Sequence, residues 1–234
     1  VFLNFKEYAV INSSVEIAKK LNIYHGFINA VLKKIAINKF ELGKISISFN
    51  MLPNWFKSEN KNLSKAEKEN FIKTFYKEPN LHIVFKNSES LNNFEEELIK
   101  TSELSGFTKN KLKIKNLPSY KKGNWWVQDF SSFFPLSEVH KEKLFKKSID
   151  LCAAPGGKSF QMLSCNKNII LNDKNNSRIE ILKINLERLK FKTKIINLDI
   201  LKMDENKKFD FIILDAPCSA VGTVRKNPEI LFHD

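Results

Sequence analysis

The residues best placed to do chemistry stand in four short segments, each expected where a strand ends. The first is Asp150-Leu-Cys-Ala-Ala-Pro-Gly-Gly-Lys158, between an expected strand and an expected helix. Small residues let a backbone approach a ligand closely, and the helix that follows presents unpaired N–H groups to an anion. A turn with no ligand is a poor account of a loop this dense in small residues at a strand's C-terminal end.

Gly157-Lys158-Ser159, with a later apolar strand ending at Asp215, matches the tail of a phosphate-binding loop. That loop needs a glycine five residues before its second glycine, and Cys152 stands there. The dinucleotide fingerprint GxGxxG is absent too. Asp173 closes the next expected strand. An acid there accepts both hydroxyls of a ribose, or else it complements the dipole of the following helix. With the loop, it favours a nucleoside ligand. Asp199 closes the third strand. It can meet an adenine amino group or serve as a turn residue.

Leu214-Asp-Ala-Pro-Cys-Ser219 is the fourth segment. Enzymes that methylate exocyclic amines of bases carry an aromatic platform after the proline, and this chain has Cys218. Carbon-5 of a pyrimidine is a poor nucleophile until a thiolate adds to carbon-6 and makes an enamine. A cysteine beside an acid, here Asp215, suits that chemistry. A buried, inert thiol is the commoner fate of a lone cysteine. Cys152 and Cys165 read as structural.

The elements that must hold these segments follow from hydrophobic period. Residues 12–38 read as a helix with a break at Gly26. Residues 64–77 read as another, opened by the capping box Ser64 and Glu67 and stopped by Pro79. Leu81, Ile83 and Phe85 alternate as a strand, 91–104 read as a helix, and 111–115 as a second strand. From 148 the rhythm changes. Strands at 148–151, 168–173, 194–199 and 209–215, with a helix over 176–190, imply βαβ units and a parallel sheet buried on both faces.

Composition bounds the rest. The chain has 234 residues, 42% of them hydrophobic, enough for a core in one or two domains. Its apolar runs fall far short of the ~20 residues of a membrane helix. Three cysteines without CxxC exclude a disulfide framework and a zinc ribbon. The four histidines form no HxxxH pair, so no metal site is expected. The formal charge is +13, but only 3 of the 39 cations are Arg, and 26 Asn accompany them, as coding bias would produce. The charge is evenly spread: residues 1–120 hold 19 cations and 12 anions, the remainder 20 and 14. Such a surface suits a polyanionic partner. The chain begins at Val1 and stops at Asp234 in an expected loop, so it reads as a fragment.

The run Trp126-Val-Gln-Asp129, then DLCAAPGGKS (150–159), then DAPCSAVGTVRKNPE (215–229) resembles the RNA 5-methylcytosine methyltransferases. The bacterial small-subunit rRNA cytosine-5 methyltransferase B, or Sun, family is the nearest in pattern. Residues 14–36 are similar to the end of that family's NusB-like helical domain. Residues 50–118 resemble its small RNA-contacting subdomain, anchored by Asn50-Met-Leu-Pro-Asn-Trp55 and Glu78-Pro79.

The resemblance implies an α/β fold. A Rossmann-like methyltransferase domain (119–234) would follow an α+β RNA-contacting subdomain (48–118) and the tail of a NusB-like domain (1–47). It implies S-adenosylmethionine as cofactor. Cys152, Ala153, Ala154, Pro155, Gly156, Gly157 and Lys158 would hold its methionine part. Asp173 would bind the ribose and Asp199 the adenosine moiety, and Asp215 would lie beside cofactor and base. Cys218 matches a cysteine that helps release product. The nucleophile of that family is a second cysteine in a Thr-Cys motif, which these residues lack. The implied partner is ribosomal RNA, the setting the cytoplasm, and the state a monomer.

Overall fold

The structure, a computed structural model, describes residues 6–45, 48–75, 77, 79–108, 114–139, 145–165, 168–204 and 206–232. The chain forms two compact units, one of residues 1–79 with 219–234, the other of residues 80–218. The sequence expectation divides the chain at 47/48 and 118/119 instead.

In the first unit, α1 (Glu7–Lys20) and α2 (His25–Ile37) pair and α3 (Lys39–Gly43) follows. The single helix expected over 12–38 is therefore two, and Gly26 lies inside α2 rather than at the break. Asn22 is the reason. It adopts φ 58, and Ile23 N–H donates to Ala18 O while Asn22 N–H donates to Lys19 O. That is a Schellman stop, which asparagine tolerates.

Next come α4 (Asn54–Glu59) and α5 (Lys65–Phe75). The capping box of α5 forms as expected: Ser64 N–H donates to Glu67 Oε2 at 2.8 Å and Glu67 N–H to Ser64 Oγ at 3.3 Å. Phe49, Leu52 and Phe56 bury with Val224 and Leu231 from the returning segment. Trp55 Nε1 donates to Leu231 O at 2.9 Å.

The second unit opens with an antiparallel sheet in the order β2-β3-β1-β4. Its strands are β1 (Leu81–Phe85), β2 (Leu98–Ser102), β3 (Ser105–Thr108) and β4 (Trp125–Val127). The helix expected over 91–104 stops early. Asn87 caps a short α6 (Ser88–Asn92), and Leu98–Ser102 pairs with β3 instead, so tertiary pairing overrides the local helical spacing. Neither β3 nor β4 is foreseen. Of the strand expected at 111–115, residues 111–113 lie outside the described residues, and Ile114 opens a 3₁₀ turn.

Strand β1 is buried on both sides. Ile83 and Phe85 pack with Leu91, Phe94 and Trp125, whereas Val84 joins a second core with Trp126. The adjacent tryptophans of β4 thus serve opposite cores, as a period of two requires. Each indole N–H is satisfied, Trp125 by Pro118 O at 2.7 Å and Trp126 by Gln128 Oε1 at 2.9 Å.

After α7 (Phe130–Val139) comes a parallel sheet of β5 (Ser148–Asp150), β6 (Ile169–Asn172), β7 (Ile195–Ile196) and β8 (Phe211–Ile213). Helices α8 (Gly157–Ser164) and α9 (Asn176–Leu189) connect its first three strands. Its order, β7-β6-β5-β8, has all pairs parallel. This is the expected alternation. Leu182, Leu186 and Leu189 of α9 bury in the same core as Ile169 and Leu171 of β6, each worth about 1.5–3 kcal/mol relative to exposure. Among the described residues, no helix is long and apolar enough to cross a membrane.

Candidate functional site

Strands β5, β6 and β7 are laid down in one direction, and β8 returns to the other side of β5. Between β5 and β8 lies the switch point at which open α/β sheets hold ligands, beyond the carboxyl ends of the strands. Asp150 ends β5 opposite Ile213 of β8, so the loops 151–156 and 214–218 leave the sheet side by side.

Asp150 is 1% exposed. Its carboxylate accepts from Ser159 Oγ at 2.6 Å and from Cys152 N–H at 3.3 Å. Burial pushes its pKa up to about 6, against the opposing pull of those two bonds. Gly156 turns the loop into α8 at φ +119, and a Cβ there would lie 2.0 Å from the Phe160 ring, so only glycine fits. The first N–H groups of α8 have no intrahelical carbonyl to donate to.

Asp173 is 3% exposed, immediately after β6. Its Oδ2 accepts from Ala154 N–H at 3.2 Å and its Oδ1 from Asn175 N–H at 2.9 Å, with Arg178 Nη1 at 3.5 Å. It ties the glycine-rich loop to the start of α9, whose N-cap is Asn175. A carboxylate has about four lone-pair positions, so these donors do not exhaust it. Asp199 caps a 3₁₀ turn and pairs with Lys174 at 2.8 Å. Lys174 and the Leu201 N–H hold its carboxyl below the usual range. Asp215 is exposed and ion-paired with Lys158 Nζ at 2.5 Å, and Lys158 also donates to Ser132 Oγ at 2.9 Å. Cys218 is exposed three residues further on. Burial, then Asp173 and Asp150, push the Cys152 thiol up.

The loop 152–158, Asp173 and Asp215 thus come together around the ends of β5, β6 and β8. Asp199 stands at the β7 edge. Asn172 and Gln161 escape the sequence reading, and Gln128 and Ser159 appear there only inside motifs, without their partners. Asn172 is fully buried and ties Leu151 O to Leu198 through its amide. Ser159, Gln128 and Gln161 are buried polar residues that fix the loop and α8. The available signal was a polar residue inside an apolar strand or helix face, which burial makes costly unless it is paired.

The donor set is mixed. Helix N–H groups and a lysine suit a carboxylate, whereas the acids at the strand ends suit hydroxyls and a cationic centre. That combination fits an amino-acid nucleoside better than a polyphosphate. Residues 138–233 match the model of the family described as 16S rRNA methyltransferase RsmB/F. In this stretch the chain is similar to the RsmB/F family.

Ribosomal RNA small subunit methyltransferase B of Shewanella oneidensis is 42% identical over 87 residues, 35% of this chain and 20% of the relative. Its namesake in Photorhabdus laumondii is 39% identical over 119 residues, 49% of this chain and 28% of the relative. Ribosomal RNA small subunit methyltransferase F of Vibrio cholerae is 32% identical over 123 residues, half of this chain and 26% of the relative. The chain therefore spans less than a third of the length of these relatives. The crystal structure of the protein PH0851 superposes with a TM-score of 0.71 over 92% of this chain and 54% of its own, at 24% identity. A methyltransferase homolog from Pyrococcus horikoshii gives 0.54 over 72% and 64%, at 22% identity. The parallel sheet and its helices accordingly form a Rossmann-like α/β fold.

Proposed function

We propose that this chain is the cofactor-binding and RNA-contacting part of an S-adenosylmethionine-dependent methyltransferase acting on carbon-5 of a cytosine in small-subunit ribosomal RNA. The observation that carries the reading is the Asp215-Ala-Pro-Cys218 loop at the switch point, beside the loop 152–158 and ion-paired to it through Lys158. The RsmB/F family match supports it.

In this reading residues 152–158 and the start of α8 receive the methionine part, Asp173 the ribose and Asp199 the adenosine side. The cofactor supplies an electrophilic methyl group. Asp215 hydrogen-bonds the ring that is being activated. A thiolate adds to carbon-6, carbon-5 attacks the methyl group, and loss of the carbon-5 proton and of the thiolate restores the aromatic ring. The attacking thiolate belongs to a Thr-Cys segment, which these 234 residues do not contain. Cys218 assists the elimination. The protein acts as a cytoplasmic monomer on ribosomal RNA, and its lysines meet phosphates. A second reading is a part that holds RNA or cofactor without turnover.

The test uses S-adenosylmethionine, a denaturing gel and two RNAs: unmodified RNA, and 5-fluorocytosine RNA, whose carbon-5 fluorine blocks elimination and traps any cysteine that attacks carbon-6. In a polypeptide carrying both cysteines, Cys218→Ala accumulates a covalent adduct on unmodified RNA, where the wild type turns over, because elimination stalls; on the fluorinated RNA both are trapped. The 234 residues alone form none. An adduct from these residues that Cys218→Ala abolishes would make Cys218 the nucleophile and overturn the assignment. No adduct from the two-cysteine polypeptide would favour the second reading.

A further inference from the structure

Gln128 is 6% exposed and every polar atom of it is engaged. Its Oε1 accepts from Trp126 Nε1 at 2.9 Å, and its Nε2 donates to Gln161 Oε1 at 2.6 Å. Gln161, 3% exposed, passes the relay on, its Nε2 donating to Phe133 O at 3.1 Å. The main chain of Gln128 is held as firmly. Its carbonyl accepts from His82 Nδ1 at 2.7 Å and its N–H donates to His82 O at 3.3 Å. The polarity of the relay is fixed at both ends, because an indole N–H only donates and a carbonyl only accepts.

The side chain so held lies against the cofactor loop. A Cβ on Gly157 would stand 3.4 Å from both Gln128 Cγ and Cδ, so the amide side chain lies beside that glycine with no more room between them than a methyl group would fill. Gly157 is the first residue of α8, where those N–H groups stand. Pinned by Trp126 on one side and by α8 on the other, Gln128 fixes the distance between β4 and the start of α8.

We propose that Gln128 is a positioning residue for the cofactor: it braces Gly157 and so aims the N–H groups that receive the methionine carboxylate. This rests on the cofactor reading above. The geometry demands a side chain that both donates and accepts. An ionised glutamate accepts from Trp126 but leaves Gln161 Oε1 facing a second acceptor. A protonated glutamate donates its O–H to Gln161 and accepts from Trp126, and so restores the relay.

The experiment measures S-adenosylhomocysteine affinity by calorimetry for the wild type, Gln128→Glu, Gln128→Ala and Gln161→Ala at pH 5.5–8.5, alongside thermal midpoints. His82 of β1, Asp129, Lys158 of α8 and Asp150 of β5 are common to all four proteins, so the ratio of variant to wild-type affinity cancels their titration. Gln128→Glu is expected to bind about tenfold more weakly than wild type at pH 8.5 and to approach wild-type affinity at pH 5.5, a profile that general loss of packing does not produce. Gln128→Ala stays weak at every pH. Gln161→Ala, which leaves Gln128 beside Gly157, shows a smaller, pH-independent loss. It decides the matter if the Gln128 variants fail to fold, since unchanged affinity there overturns the relay. A wild type that binds while Gln128→Glu matches it at pH 8.5 overturns the positioning role alone. A folded wild type with no affinity for the nucleoside overturns the cofactor reading and this inference with it.

Discussion

Ser159 donates its hydroxyl to Asp150 Oδ2 at 2.6 Å, so the two residues that flank the loop 151–158 are bonded to each other out of reach of solvent. The bond closes the loop on itself before any ligand enters.

Asp150 makes folding pH-dependent in a direction opposite to most carboxylates. Its folded pKa is raised from 3.8 to about 6 by burial. Between those values the folded chain holds a proton that the unfolded chain releases. The stability from that proton is complete below the unfolded value and is lost as pH rises through about 6, a swing on the order of 3 kcal/mol. Asp150→Asn stays neutral throughout. Urea denaturation from pH 4 to 7.5 should show the wild type losing stability relative to the variant as pH rises, and a constant gap would refute the burial effect.

Asp215→Asn separates binding from folding. Its pair with Lys158 is more than half exposed on the acid's side, so solvent screens it and folding stability changes by about 1 kcal/mol or less. Cofactor affinity, in contrast, should fall by on the order of 1–3 kcal/mol, the cost of an unmade bond to a charged group. Thermal melts and calorimetry on one preparation read both.

Asp173→Ala removes the acceptor of one buried and one part-buried N–H group as well as the proposed ribose contact. Folding stability and cofactor affinity should therefore drop together, each by on the order of 1–3 kcal/mol. Wild-type stability in the variant would mean that Ala154 and Asn175 find other partners. Unchanged affinity would remove the ribose assignment.

Gly123→Ala tests the joint between the two sheets of the second unit. A Cβ at Gly123, whose φ is +73, would lie 1.8 Å from Arg188 O at the end of α9. Lys86 Nζ donates to Leu189 O at the same helix end, and Arg188 Nη1 to Tyr120 O and Trp125 O. Loss of about 2–4 kcal/mol in denaturation is expected from strain of this kind.

The parallel sheet was legible because its signals are local: apolar strands that end in Asp150, Asp173 and Asp215, with small residues between. The antiparallel sheet was not. Leu98–Ser102 carries helical spacing, and only its pairing with Ser105–Thr108 makes it a strand. Trp126-Val-Gln-Asp129 showed as a motif, yet what Gln128 touches is set by Gln161, 33 positions away. The site acids were found by their places at strand ends. Asn172 was missed and the bond from Ser159 to Asp150 was not foreseen, because a buried amide and a buried hydroxyl look ordinary in one dimension.

The bond from Trp55 to Leu231 O spans 176 residues. During synthesis at about 5–20 residues per second, Phe49, Leu52 and Phe56 emerge roughly 9–35 s before Val224 and Leu231 arrive to cover them. All of residues 80–218, a contiguous unit, is made inside that interval. Translation therefore completes the middle of the chain first, and the early-made aromatic cluster is the surface that a chaperone has to shield while the ribosome is still working.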